Sequence, residues 1–234
     1  VIVSPLIALM VDQVASLKQL GIHRAVAITS LMSESEKNYI LSTLNEYQFI
    51  FVSPEMLQSP RFFKQLSKLE IGLLVVDEAH CISQWGYDFR SDYLFIGKMR
   101  KSLGSPRTLA LTATATTQVI HDIYTFLGLN KEDTTYFQGH AFLKNREIDV
   151  ISVEGLRSKM FSELLKRVEY PCIVYASTIK EIEGLKESLQ EEGFTKIDTF
   201  HSKRHSSDRQ TIQQKFFRGE LNILLATSAF GMGI

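Results

Sequence analysis

The stretch that decides the fold is LLVVDEAH, residues 73–80. The apolar run from Gly72 to Val76 predicts a strand that is buried on both faces, as in a parallel sheet. Two acidic residues, Asp77 and Glu78, follow where this strand ends. An acidic pair after a strand is often only a solvated turn, so the pair alone leaves both interpretations open. Because ligands bind at the carboxyl ends of strands in such sheets, the pair is the first candidate site. In a nucleotide-hydrolysing site, Asp77 would hold Mg²⁺ on the phosphates and Glu78 would polarise the attacking water.

The next ten residues, CISQWGYDFR (81–90), contain the only tryptophan of the chain. A lone tryptophan normally lies in the core, but no periodicity directs Trp85 inward, and Gly86 favours a surface loop. Exposed Trp85 and Phe89 beside Arg90 suit stacking on unpaired bases, which contributes roughly 1–3 kcal/mol per base. A loop that runs from the carboxylates to such a tryptophan could report DNA occupancy to the hydrolytic site.

Outward from this stretch, short β-branched runs alternate with helical patterns, which predicts an α/β protein with mostly parallel sheets. The pattern breaks at a polar stretch, residues 129–146, and then restarts. We therefore predict two domains, residues 1–140 and 141–234, joined by this stretch. The predicted strands are 1–3, 25–28, 48–52, 72–76, 108–111, 148–153, 172–175, 196–200 and 223–226. Helices are predicted from periodicity and caps, among them one whose capping box is Ser33 and Glu36, one ending near Leu127, 158–168 and 206–217.

Composition limits the classes of function. The chain of 234 residues carries 26 basic and 26 acidic residues, so a nucleic-acid site must be a local stripe and not a bulk charge effect. Cys81 and Cys172 are far apart and lack the spacing of metal ligands. No apolar run approaches membrane-spanning length, and we expect a cytoplasmic, nucleoid-associated protein, or a nuclear one in a eukaryote.

The run from Asp77 to Arg90 closely resembles the DEAH box and aromatic-rich loop of RecQ-type DNA helicases of superfamily 2. Further stretches resemble motifs of that family in the same order: SPLIALM with DQV (4–10, 12–14), SPE (53–55), LTATA (111–115) and AT with AFGMGI (226–234). The resemblance implies two RecA-like domains of the P-loop NTPase fold. It also implies catalytic roles for Asp77, Glu78 and His80, and DNA contacts for Gln84, Trp85, Phe89 and Arg90.

Further roles in the first domain follow from these matches. Ser4 and Ser53, each beside a proline at a strand end, are candidates to hold DNA phosphates, although either alone would more often be a plain turn. Thr112 and Thr114 are candidates to couple the carboxylates to the DNA side. Their alternative, capping the following helix, is compatible with that role.

In the second domain, Gly231 and Gly233 after a strand would allow backbone to approach the nucleotide, although such glycines are usually just a turn. Thr227 is a candidate DNA contact in the same motif. His201 and Lys203 belong to a local basic cluster whose default interpretation is a solvated helix face. The resemblance favours phosphate contact for both.

The chain departs from the family in several places. It contains no G-x-x-x-x-G-K-[ST] phosphate loop, and Gly97-Lys98 is not a substitute because it lies in a helical pattern. In the family this loop precedes the 4–10 motif, so we expect that the chain begins after it and ends before the arginine-finger motif. Tyr87 replaces the usual histidine, Ser91 a common proline, and Ala176 to Ile179 the Asn-Ser-Arg that often follows Tyr175.

The resemblance implies a parent protein that uses ATP and Mg²⁺ to move 3′ to 5′ on single-stranded DNA and unwind duplex DNA in recombination and repair. We expect the chain itself to be inactive. One alternative is an RNA-remodelling ATPase of the same superfamily, which would share the acidic box but not the 84–90 loop. Another is a remnant that binds single strands without hydrolysis.

Overall fold

The computed structural model describes residues 1–86, 88–139, 147–152, 157–228 and 230–231. The chain divides into two compact units, Val1–Gly139 and His140–Ile234. Both consist of parallel strands alternating with helices, which confirms the predicted fold class. In the described part of the chain, no helix is long and apolar enough to cross a membrane.

The first unit contains a five-stranded sheet in the order β2-β3-β1-β4-β5, with every neighbouring pair parallel. Strand β4 lies between β1 and β5, so the carboxyl end of the acidic-box strand is flanked by strand ends on both sides. The strands are β1 (Ile2–Val3), β2 (Ala25–Ile28), β3 (Phe49–Val52), β4 (Leu74–Val76) and β5 (Thr108–Ala110).

Six α-helices of this unit are described: α1 (Ile7–Gln19), α2 (Glu34–Ser42), α3 (Pro54–Leu57), α4 (Pro60–Leu66), α5 (Ile96–Ser102) and α6 (Thr117–Leu127). Three 3₁₀ segments accompany them, Leu44–Glu46, Ala79–Ile82 and Ser91–Phe95. Local chemistry sets several boundaries. Ser33 and Glu36 form the predicted capping box, and Gly128 ends α6 in the left-handed conformation at φ 64°.

The core of the first unit packs β-strand side chains against these helices. Val3, Val52 and Val76 are fully buried in the three central strands, and Phe62, Leu66 and Leu127 contribute from α4 and α6. Helix α5 packs closely against α6 at Gly97: a Cβ at this position would lie 1.8 Å from the carbonyl oxygen of Phe126. Gly97-Lys98 is therefore helical and packed, in agreement with its exclusion as a phosphate loop.

The second unit contains a three-stranded parallel sheet in the order β6-β8-β7, formed by β6 (Cys172–Tyr175), β7 (Ile197–Phe200) and β8 (Ile223–Ala226). Its helices are α7 (Arg157–Leu165), α8 (Ile179–Glu191) and α9 (Ser206–Phe217). The predicted strand 148–153 was wrong as far as the structure describes it: residues 147–152 form no strand, and Val150 is 95% exposed. An alternating pattern makes a strand only where a partner strand takes up its hydrogen bonds. Val153 lies outside the described residues.

Candidate functional site

The end of β4 places Asp77 at the carboxyl edge of the sheet. Its backbone N–H donates to Val3 O of β1 at 2.9 Å, so the residue is still held by the sheet. Both carboxylate oxygens accept hydrogen bonds: Ser4 Oγ donates to Oδ2 at 3.2 Å, and the Glu78 N–H donates to Oδ1 at 3.0 Å. The backbone carbonyl of Asp77 also accepts a hydrogen bond, from the Tyr93 hydroxyl at 2.9 Å. Burial raises the pKa of Tyr93, so this hydroxyl keeps its proton.

Glu78 has a strained backbone, with φ 47° and ψ 45° in the left-handed region. A non-glycine residue in this conformation costs on the order of 1–3 kcal/mol and persists where the surroundings enforce it, often at functional sites. Here the Ala79 N–H donates to Leu111 O of the next strand end at 2.8 Å. The turn directs the Glu78 carboxylate to His80, whose Nδ1 lies 3.3 Å from Oε2.

His80 connects the acidic pair to the turn after β5. Its Nδ1 lies 3.0 Å from Thr112 Oγ1, and the Thr112 hydroxyl donates to Thr114 O at 2.9 Å. Because a hydroxyl has one hydrogen and the Glu78 carboxylate only accepts, Nδ1 is the nitrogen that carries the proton. Thr114 joins through its backbone N–H, which donates to Thr112 Oγ1 at 3.2 Å. Both predicted coupling residues are thus in one chain of hydrogen bonds with the acidic box.

The loop after His80 presents its aromatic residues to solvent. Trp85 is 75% exposed and Phe89 is 38% exposed, while Gln84 is also on the surface. A Cβ at Gly86 would lie 2.4 Å from His80 O, so only glycine lets the loop fold back this closely. The surface position predicted for Trp85 agrees with the structure; Tyr87 lies outside the described residues.

Arg90 connects the end of this loop to Pro5, near the beginning of the chain. Its Nε donates to Asp88 Oδ2 at 3.0 Å, and its Nη1 donates to Pro5 O at 3.3 Å. Arg90 also lines a cleft of about 580 Å³ whose wall includes Ser53. Ser53 caps α3 by accepting from the Met56 N–H at 3.4 Å, and it is partly exposed. The DNA contacts of Arg90 and Ser53 stay predictions, with both residues beside the same cleft.

Two predicted DNA contacts need correction. Ser4 is fully buried with its hydroxyl on Asp77, so it supports the carboxylate and does not face a DNA phosphate. His201 is 6% exposed, and its Nε2 lies 2.8 Å from Glu183 Oε1 on α8. A side chain that is buried and bonded in this way cannot reach a phosphate in solvent. Lys203, by contrast, is exposed and its phosphate contact stays a prediction.

The remaining residues of the second unit lie near the end of β8. The Thr227 N–H donates to Phe200 O at 3.2 Å, and the residue is partly exposed. Gly231 has φ 122°, and a Cβ there would fall 2.9 Å from the Tyr175 hydroxyl, so the position requires glycine. Gly233 lies outside the described residues.

The sequence patterns missed Asp122 and Glu183, two carboxylates that organise polar contacts. Asp122 accepts from Ser83 Oγ at 2.6 Å, and Glu183 accepts from Thr199 Oγ1 at 2.7 Å as well as from His201. Each lies on a helix whose local pattern marks it only as a polar position. No signal short of the tertiary fold distinguishes either carboxylate.

Comparison with known proteins shows the family to which the chain belongs. Residues 1–123 match the DEAD/DEAH box helicase family, and residues 156–234 match the helicase conserved C-terminal domain. The first match covers more than half of the chain, so the chain belongs to the DEAD/DEAH box helicase family.

Relatives of known name narrow the group. Over its whole length the chain is 39% identical to the probable ATP-dependent DNA helicase RecS of Bacillus subtilis and 37% identical to the ATP-dependent DNA helicase RecQ of the same organism. It is 35% identical to the mouse ATP-dependent DNA helicase Q5. The chain spans 47%, 39% and 26% of these proteins, which is less than half of each. They confirm the predicted resemblance to RecQ-type DNA helicases.

Solved structures agree on the fold. The chain matches the helicase MrfA bound to DNA with a TM-score of 0.70 at 15% identity, covering all of this chain and 34% of that one. It matches the Mycobacterium smegmatis helicase Lhr, bound to single-stranded DNA and AMP-PNP, with a TM-score of 0.65 at 18% identity and the same coverage. At these identities the likeness shows the fold alone, and it agrees with the predicted RecA-like domains.

Proposed function

We propose that this chain is the motor core of an ATP-dependent DNA helicase that moves 3′ to 5′ on single-stranded DNA and unwinds duplexes in recombination and repair. The observation that carries the proposal is one short segment of the first unit. Within nine residues it bears the paired carboxylates of Asp77 and Glu78 and the exposed indole of Trp85. Ala79 to Ser83, which lie between them, are buried, and the backbone there is hydrogen-bonded, so a change at either end is transmitted through a fixed backbone.

The donor set at the end of β4 fits Mg²⁺ held together with a nucleotide. Asp77 offers carboxylate oxygens, the ligand type that Mg²⁺ prefers, and Glu78 stands next to it. Among the described residues no group of three or more histidine, cysteine, aspartate or glutamate side chains could enclose a metal. Magnesium does not need such an enclosure, because it usually binds to one or two carboxylates and to substrate phosphates. When bound, the ion would neutralise charge on the phosphates of ATP.

Each residue of the box then has a definite task. Ser4 and the Glu78 N–H orient the Asp77 carboxylate by occupying one lone pair on each oxygen. The Glu78 carboxylate accepts the proton of the attacking water, and the left-handed backbone at this residue fixes its direction. The same nitrogen of His80, Nδ1, lies beside both Glu78 Oε2 and Thr112 Oγ1, so the position of the base depends on the turn after β5.

At the other end of the segment, Trp85 and Phe89 provide faces on which unpaired bases can stack. The partners are single-stranded and duplex DNA, and the phosphate contacts are supplied by local groups such as Arg90 and Lys203, since the net charge is zero. Such a protein works where DNA is, in the bacterial cytoplasm with the nucleoid or in the nucleus of a eukaryote.

Strand separation by the full-length protein tests this proposal. We expect ATP-dependent unwinding of a DNA duplex with a 3′ tail, little unwinding with a 5′ tail, and none with Glu78→Gln. Equal unwinding of the matching RNA duplex would favour an RNA-remodelling ATPase. Binding of oligo(dT) without any nucleotide hydrolysis would favour a single-strand-binding protein.

A further inference from the structure

Ser83 is the anchor of the aromatic loop. It is fully buried, its backbone N–H donates to His80 O at 3.1 Å, and its carbonyl accepts from the Gly86 N–H at 3.0 Å. Its hydroxyl oxygen accepts from the Trp85 N–H at 3.1 Å. The same hydroxyl donates to Asp122 Oδ2 at 2.6 Å, a length typical of a charge-assisted bond. The Trp85 backbone is therefore tied to a carboxylate 37 positions later through one buried serine.

Asp122 is itself fixed from both sides. Its other oxygen, Oδ1, accepts from Gln118 Nε2 at 3.0 Å one turn earlier on α6, and His121 Nδ1 lies 3.6 Å away. The hydrogen bond from Ser83 holds the pKa of Asp122 below its usual range, so the group is ionised near neutral pH. A carboxylate held in this way can keep the Ser83 hydroxyl in one orientation.

Helix α6 contacts the acidic-box segment at a second place. It begins shortly after Thr112, whose hydroxyl lies on His80 Nδ1 at 3.0 Å. The segment from His80 to Trp85 is thus joined to the 112–127 region at both of its ends, by His80–Thr112 and by Ser83–Asp122. The 112–127 region therefore contacts this segment both at His80 and close to Trp85.

We propose that Asp122 is a positioning residue that orients Trp85 for stacking on unpaired bases. Three-quarters of Trp85 is exposed, so side-chain packing restrains it little and its direction comes from the backbone that Ser83 and Asp122 hold. That Trp85 stacks on unpaired bases rests on the function proposed above. Asp122 lies outside the stretches that resemble family motifs.

The single tryptophan gives a direct measurement without DNA. Because Trp85 is the only tryptophan in the chain, its fluorescence anisotropy and its quenching by acrylamide report this loop alone. We expect Asp122→Ala to lower the anisotropy and raise the quenching constant, and Asp122→Asn to shift both less, since an amide oxygen still accepts from Ser83. Gln118→Ala, which leaves the Ser83 bond in place, is the matched control and should behave as the wild type.

Titration with oligo(dT) separates this inference from the proposed function. The fluorescence of Trp85 in the wild-type chain should be quenched when oligo(dT) binds. Asp122→Ala should weaken the affinity for oligo(dT) on the order of threefold to tenfold, which is less than the loss expected when one stacked base is removed entirely. Absence of any wild-type response would overturn the DNA role of the loop, while the measurements without DNA would still decide the role of Asp122. If Asp122→Ala only lowers the melting temperature, with anisotropy and affinity unchanged, then Asp122 is structural and the proposal is wrong. If Asp122→Ala does not fold, the same comparison is made with Asp122→Asn, and unchanged anisotropy overturns the proposal.

Discussion

Replacement of Trp85 by alanine separates a DNA-sensing tryptophan from a structural one. The side chain is 75% exposed, so at most about 60 Å² of its surface is buried in the chain. At ~25 cal/mol per Å², its removal costs about 1.5 kcal/mol or less, a decrease of roughly 3–6 °C in melting temperature. A fully buried tryptophan would cost roughly 3–5 kcal/mol.

The effect on DNA should be larger than the effect on stability. Loss of one stacked base removes ~1–3 kcal/mol, which is a roughly 5- to 150-fold decrease in affinity for single strands. Binding is measured by the anisotropy of a labelled oligo(dT), beside thermal unfolding of the same samples. In the full-length protein, Trp85→Ala should reduce DNA-stimulated ATP hydrolysis far more than basal hydrolysis.

Tyr39→Ala is the matched control for this experiment. Tyr39 is an aromatic residue of the same unit, 66% exposed on α2, and it does not line the cleft beside Arg90. Its loss should leave DNA affinity unchanged while costing a similar, small amount of stability. If Trp85→Ala lowers the melting temperature by more than about 10 °C and leaves the DNA affinity per folded molecule unchanged, then Trp85 is a core residue and the reasoning is refuted.

Three further outcomes are expected. In the full-length protein, Glu78→Gln should keep nucleotide binding and abolish turnover, measured by binding of labelled ATP and by phosphate release; near wild-type unwinding would show that Glu78 is not the base. Gly86→Ala should cost roughly 1–3 kcal/mol in urea unfolding because its Cβ has no room, whereas Gly72→Ala, with nothing within 4 Å, should cost little; equal effects would contradict the close approach. Burial is the largest single influence and acts to raise the pKa of Asp198, but the hydrogen bonds from Lys186 and the Thr199 N–H, together with the charges of Lys186 and Arg204, outweigh it, and the pKa lies below its ordinary value of 3.8. The ion pair therefore stabilises the second unit above about pH 4 and is lost as the pH falls through the lowered value, a dependence that Lys186→Met should weaken in urea unfolding at several pH values.

Elements set by local chemistry could be predicted from the sequence. The strands Cys172–Tyr175 and Ile223–Ala226 and the helix Ser206–Phe217 lie where their patterns indicated, and Ser33 caps α2 as expected. The capping box at Ser33 depends on neighbouring residues alone, whereas the two strands also need the pairing that they make with each other. The predicted strand at 148–153 depended on a partner strand that no local pattern reveals, and its described part is not a strand.

The candidate site was predictable only in part for the same reason. That Asp77, Glu78 and Trp85 lie at one place follows from their short separation in sequence. The bond of Ser4 to Asp77 depends on β1 lying beside β4, and the bond of Ser83 to Asp122 depends on where α6 packs. Neither arrangement can be deduced from propensity or periodicity.

The two misplaced DNA contacts share a physical cause. Ser4 and His201 both follow directly on a parallel strand, where a polar side chain is still close to the sheet and to neighbouring helices. There each is bonded to a carboxylate, Ser4 to Asp77 and His201 to Glu183, and each is buried. At these two strand ends the polar side chain is buried against a carboxylate, whereas Ser53 and Thr227, which also follow directly on a strand, stay partly exposed. In the first unit the exposed residues of the aromatic loop, Gln84, Trp85 and Phe89, follow the buried 3₁₀ segment Ala79–Ile82, and their contact with DNA stays a proposal.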